Sequence, residues 1–191
     1  MEDVDLGVCK GHLYAGDPDR VVVILPGAQY LPFAPLLWFA REVATSKGWS
    51  VLDVWDEYLD RSEDPWCWVE ARAVAALAAA GNARVVLVTK SISSHAVRIA
   101  AERSLPGIWL TPLLHNDEIA AGFSSLQAPA LLIGGTADES WDLSRARRHE
   151  VLEIEGANHA LQFPESAAAS VAALGRIVDR MDKFVAARDA K

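Results

Sequence analysis

Cysteine is almost missing from this chain: Cys9 and Cys67 are the only two in 191 residues. Two thiols cannot staple a chain of this length, and neither stands in a C-x-x-C pair, which argues against a disulfide scaffold or a paired-thiol site. Basic residues are in deficit too. Lys and Arg number 18 against 26 Asp and Glu, a net charge of −8, and no run of Lys or Arg occurs. Such a surface repels polyanions, so nucleic acid and anionic membranes are poor partners for it. No apolar run approaches the roughly 20 residues of a membrane span. Internal repeats, low-complexity tracts and evident linkers are lacking as well. The opening MEDVDLG is acidic where a secretory leader is basic and then apolar, so the expectation is a soluble, cytoplasmic protein. There is no clustered His, Cys and carboxylate spacing for zinc and no phosphate-binding glycine loop. The expected cofactor complement is therefore none, metal included.

Apolar residues are plentiful, at 51% of the chain against 23% charged. That is enough for a sizeable core, and one domain over residues 1–191 is the simplest expectation. Short β-branched or apolar runs recur: RVVVILPG (20–27), WSVLDVW (49–55), ARVVLVT (83–89), GIWLT (107–111), ALLIGG (130–135) and HEVLEI (149–154). Several are apolar on both faces, as strands of a parallel sheet covered on each side are. DLGVCKGHLYAGD reads as an antiparallel edge hairpin. Between the runs lie helical patterns. One spans 35–47, with Gly48 as stop; another has Asp64 as cap, Pro65 at its first position and Gly81 beyond its end. A third runs from Ser93 to Arg103. The last spans about 165–187, with Val171, Leu174, Val178, Met181 and Val185 on one stripe. Alternating strands and helices predict a three-layer α/β/α sandwich with a mostly parallel sheet. In such sheets functional groups collect at the carboxyl ends of the strands.

Four strand ends carry chemistry. LVTKSISSHAV puts Ser91 on a strand-to-helix turn, where a nucleophile would stand above the sheet, although Ser91 or Ser93 could equally cap the helix. The usual elbow is G-x-S-x-G; Thr89 and Ser93 replace both glycines. GGTADESWD places Asp138 just beyond a strand. Taken singly it reads as a cap for a helix over 140–147, with Thr136 and Glu139 at capping-box spacing. EGANHALQF puts His159 on a glycine-containing loop after the last strand. LPGAQY turns at Gly27 and can aim the amide of Ala28, with that of Ile92, at an oxyanion. Each feature has a dull explanation. The dull explanations are independent of one another, however, whereas one functional explanation needs Ser, Asp and His in this order, each at a strand end. That explanation is preferred.

At these residues the sequence resembles the α/β-hydrolase fold, in particular small lidless members of the dienelactone-hydrolase-like group. VVVILPGAQY, TKSISS, IGGTADESWD and EGANHAL match its oxyanion, elbow, acid and histidine loops, from about residue 20 to the C-terminus. The resemblance implies Ser91 as nucleophile, His159 as base and Asp138 as orienting acid. Dienelactone hydrolases proper use cysteine at the elbow, so a dienelactone substrate is not implied. The implied activity is hydrolysis of a small or medium ester or thioester through an acyl-enzyme. Only about twenty residues separate GIWLT from ALLIGG, too few for a cap domain, so the site should be shallow. Gln29, Tyr30, Phe33, Trp55 and Tyr58 should border it, with Leu113, Leu114 and His115 as further candidates, although core packing is the better reading for Phe33. Lys90, beside the nucleophile, is expected to pair with a carboxylate at the sheet edge. The rival readings are a non-catalytic binding protein on the same scaffold, and an acyltransferase or peptidase with the same three residues.

Overall fold

The computed structural model describes residues 1–60 and 62–189. Eight strands form one sheet: β1 (Glu2–Asp5), β2 (Lys10–Tyr14), β3 (Asp17–Leu25), β4 (Trp49–Trp55), β5 (Arg84–Lys90), β6 (Gly107–Leu110), β7 (Ala130–Gly135) and β8 (Glu150–Ile154). Their order across the sheet is β1-β2-β4-β3-β5-β6-β7-β8. β1 and β2 are antiparallel additions at one edge, and the other pairings are parallel. The chain steps from β3 outward to β4, then crosses back to lay β5 on the other side of β3. That reversal opens a crevice at the carboxyl ends of β3 and β5, where loops leave in opposite directions.

The apolar runs become strands because both of their faces find a core. In β5, Val85 and Leu87 enter one apolar cluster while Val86 and Val88 enter the other; in β3, Val21, Val23 and Leu25 oppose Val22 and Ile24. One cluster is closed by α1 (Pro35–Ser46) and α6 (Ala167–Ala186). The other is closed by α2 (Pro65–Ala79), α3 (Val97–Arg103), α4 (Asp117–Ser125) and α5 (Leu143–Ala146). At about 1.5–3 kcal/mol for each fully buried Val, Leu or Ile, this two-sided burial outweighs any local preference of a short strand. The Asp64 carboxylate caps α2 as expected, accepting from the amides of Trp66 (2.8 Å) and Cys67 (3.1 Å).

Three elements differ from the sequence reading. The helix expected from Ser93 begins at Ser91 as a 3₁₀ turn, Ser91–Ala96, before α3. The helix expected over 140–147 is the single turn α5, and its cap is Asp142, not Asp138. In α6 the buried face is Ala173, Ile177, Met181, Phe184 and Val185. Val171 is 68% exposed and Leu174 only half-buried. Of the expected stripe, Met181 and Val185 are buried, Leu174 and Val178 pack half-buried against the core, and only Val171 stands in solvent.

Two glycines at the end of β7 set the approach of the next loops. A β-carbon on Gly134 would sit 2.0 Å from the Trp141 ring, and one on Gly135 would sit 2.1 Å from the Ala157 carbonyl oxygen. That same carbonyl accepts the Ala137 amide at 3.1 Å, so the β7–α5 and β8–α6 loops are pressed together along bare backbone. Gly135→Ala should therefore destabilise the protein by about 1–3 kcal/mol, or about 2–12 °C in Tm for a chain of this size. Thermal unfolding followed by circular dichroism checks this; an unchanged Tm would mean the two loops are not in contact.

Candidate active site

β5 ends at Lys90, and the next residue, Ser91, has φ +53°. A residue with a β-carbon is strained in this left-handed region, at about 1–3 kcal/mol, and holds it only when its surroundings enforce it. Here the next two serines do so. The buried Ser93 hydroxyl donates to the Pro26 carbonyl at the end of β3. The Ser94 hydroxyl donates to the Ser91 carbonyl and accepts the Leu113 amide at 3.1 Å. Neither caps the helix; they stitch the turn to its neighbours on both sides. Thr89, 1% exposed, is buried near the end of β5.

Asp138 follows the close-packed end of β7. Its Oδ1 accepts the Ser140 amide at 2.9 Å and its Oδ2 lies 2.7 Å from His159 Nδ1. Thr136 forms no capping box; its hydroxyl oxygen accepts the Gly156 amide across the two loops at 2.7 Å. Burial pushes the Asp138 carboxyl up, but the His159 hydrogen bond, the Ser140 amide and the positive charges of His159 and Lys90 together hold it below the ordinary carboxylate value. His159 Nε2 lies 2.8 Å from Ser91 Oγ. The histidine loop is held by Asn158, whose Oδ1 accepts the amides of Ala160 (2.9 Å) and Gln162 (3.1 Å). Asn158 carried no distinguishing signal in the sequence beyond its place in the loop.

The crevice between β3 and β5 is a cleft of about 410 Å³ lined by Gly27, Ala28, Gln29, Tyr30, Lys90, Ser91 and the 158–160 segment. The Tyr58 amide donates to the Ala28 carbonyl at 3.1 Å, which fixes the orientation of the 27–30 loop. Ile92 is buried directly behind Ser91 in sequence. Three residues expected at the site lie elsewhere. Trp55 turns toward α1, donating its indole N–H to the buried Asp53 (2.8 Å) beside the rings of His12 and Phe33. Tyr58 packs edge-on to Trp68 in the core. His115 is exposed on the β6–α4 loop, its amide donating to the Ser140 carbonyl at 3.2 Å. A strand-end position fixes where the backbone is, but not which way the side chain turns.

Lys90 corrects the sequence reading most sharply. It is 2% exposed, and its Nζ donates to Thr111 Oγ1 (2.5 Å) and to the His159 carbonyl (3.1 Å), 5.3 Å above the Tyr30 ring. Among the described residues it forms no ion pair. Thr111 itself is held at φ +45°, costly for a β-branched residue. Lys90 thus ties the end of β6 to the histidine loop from beneath. Burial pulls its ammonium down from 10.5 to about 7, against the raising effect of the Asp138 charge. Between those two values the unfolded chain binds a proton here that the folded protein does not, so stability rises with pH across that window and the burial penalty is complete below it. Lys90→Met removes the penalty. Its stability relative to the parent should be highest near pH 6 and fall by up to about 5 kcal/mol as the pH rises to 10.5, measured by urea unfolding at several pH values. A difference that does not change with pH would contradict the buried, unpaired ammonium.

No family model and no curated protein matches the sequence. Solved structures do match its fold. Est1E from Butyrivibrio proteoclasticus, in a structure with ferulic acid bound, is 13% identical over the whole of both chains with a TM-score of 0.77. A dienelactone hydrolase from Anabaena variabilis is 18% identical, covering 96% of this chain and 94% of its own, with a TM-score of 0.71. An α/β serine hydrolase without a lid from Xanthomonas campestris is 16% identical, covering 96% and 92%, with a TM-score of 0.67. At such identities the likeness speaks for architecture: the chain has the α/β-hydrolase fold.

Proposed function

We propose that the protein is a serine hydrolase that cleaves a small or medium carboxylic ester or thioester through an acyl-enzyme. The observation that carries this reading is the unbroken relay from Ser91 Oγ to His159 Nε2 (2.8 Å) and from His159 Nδ1 to Asp138 Oδ2 (2.7 Å), with the serine raised on a left-handed turn. A serine hydroxyl is a weak nucleophile until a base takes its proton during attack. In this reading Ser91 Oγ bonds to the substrate carbonyl carbon while His159 Nε2 accepts the hydroxyl proton. Asp138 accepts the Nδ1–H, fixing the tautomer and stabilising the imidazolium. The carbonyl π electrons move onto oxygen, which the amides of Ala28 and Ile92 receive. Collapse of the tetrahedral species expels the alcohol or thiol, which takes the proton from His159. Water then attacks the acyl-serine with His159 again as base, releasing the acid and restoring Ser91. The partner implied is a small-molecule substrate.

Reaction with a fluorophosphonate probe tests the nucleophile directly. Wild type should be labelled at Ser91 and Ser91→Ala should not, with the variant's ester kcat/KM lower by about 10⁴–10⁶-fold. Full activity in Ser91→Ala would remove Ser91 as the nucleophile, and a folded wild type that resists both probe and esters would reject the hydrolase reading and favour a binding protein. Asp138→Asn should retain labelling at a reduced rate and lose about 10⁴-fold in kcat; near-normal turnover in that variant would remove Asp138 from the relay.

A further inference from the structure

Beyond the cleft, Tyr30 and Ala160 form the shared wall of a second, smaller pocket of about 160 Å³. Its other sides come from Leu36 at the start of α1, Leu161 of the histidine loop, and Val171 and Leu174 of α6. Both belong to the stripe expected to face the core; Leu174 packs against it, whereas Val171 stands on the surface. Val171 is 68% exposed. Val171 thus presents an exposed apolar side chain to a pocket beside Ser91, while Leu174 lines it from a half-buried position packed against the core.

Apolar surface dominates the pocket, with Gln162, Ser170 and Tyr30 as its polar members. The Tyr30 hydroxyl oxygen accepts the Leu36 amide at 3.1 Å, which pins the shared wall to α1. The Ser170 hydroxyl donates to the carbonyls of Phe163 (3.2 Å) and Ser166 (3.0 Å) and accepts the Phe163 amide (2.9 Å). Leu161 is 2% exposed and held at φ +57°, so the opposite wall is fixed by a strained backbone. A cavity of about 150 Å³ accepts a benzene molecule, and this pocket, at about 160 Å³, is of that size.

We infer that the pocket bounded by Tyr30, Leu36, Ala160, Leu161, Val171 and Leu174 is a binding subsite for a compact apolar group, of benzene size or a short alkyl chain, carried by the substrate next to its ester carbonyl. As a statement about substrate the inference rests on the hydrolase reading; as a statement about binding it does not. The group can sit on the acyl or on the alcohol side of the ester.

Binding is tested on Ser91→Ala protein, which cannot turn over, with benzyl acetate and methyl benzoate as probes in ligand-observed NMR. At least one ester should bind with a Kd of about 1 mM, as expected for a fragment of this size. Leu174→Trp, which fills the pocket, and Val171→Asp, which puts a charge at its mouth on an already exposed position, should each weaken that binding at least about tenfold. Absence of binding, or binding that neither change affects, overturns the subsite whether or not the protein hydrolyses esters. On protein with Ser91 intact, the ester that binds should exceed methyl acetate in kcat/KM by at least about tenfold, and which ester does so identifies the side of the carbonyl. Three equal, nonzero rates overturn the subsite and leave the hydrolase reading standing. Probe binding that responds to both variants, with no hydrolysis of any ester, keeps the subsite and rejects the hydrolase reading.

Discussion

The left-handed backbone at Ser91 is the constraint on which the remaining geometry depends. A serine at φ +53° is held against its own preference, and the restoring force comes from hydroxyls on the two serines that follow. Ser93 ties the turn to the end of β3 and Ser94 ties it to the loop after β6. Glycines at the elbow would relieve crowding; this chain carries Thr89 and Ser93 there, and Ser93 becomes a fastener. The result is a hydroxyl standing at the reversal point of the sheet, where the loops after β3 and β5 diverge.

The sheet delivers the other two groups by a different device. β7 and β8 are parallel neighbours, so their following loops leave on the same edge. Gly135 then lets those loops touch along the backbone, with Ala137 and Thr136 bonded across to Ala157 and Gly156. Asp138 and His159 meet because of this contact, at 2.7 Å. Lys90 supplies the third strut from below, joining Thr111 to the histidine loop while remaining out of water. A buried amine whose charge is resisted at neutral pH is a costly strut. From the end of β5 it reaches Thr111, just past β6, and the histidine loop at once.

Much of this arrangement was legible in the residues. Two-sided apolar runs announced the parallel strands, and Asp64 with Pro65 announced α2, because burial and capping act locally and leave a local pattern. The chain order of Ser91, Asp138 and His159 at successive strand ends pointed to their meeting. What was not legible was decided by direction and distance. Trp55 and His115 sit at strand or loop positions as plausible as Tyr30, yet one turns to bond Asp53 and the other faces solvent. Ser93 looked like a cap because capping is what a serine near a helix start usually does; its actual partner, Pro26, is 67 residues away. Lys90 looked like one half of an ion pair because its neighbours across the sheet cannot be read from sequence. Val171 fits the core stripe of α6 by its spacing, yet it stands in solvent.

The central claim is that Ser91 becomes covalently bonded to the acyl group. Acid quenching of the protein during turnover of a small ester, followed by proteolysis and mass spectrometry of the peptide containing residues 90 and 91, reads this directly. The account predicts a single acyl group on Ser91 that is absent after prolonged incubation, once water has released it. Turnover with no adduct at that serine, or an acyl group found on Lys90 in its place, would contradict it.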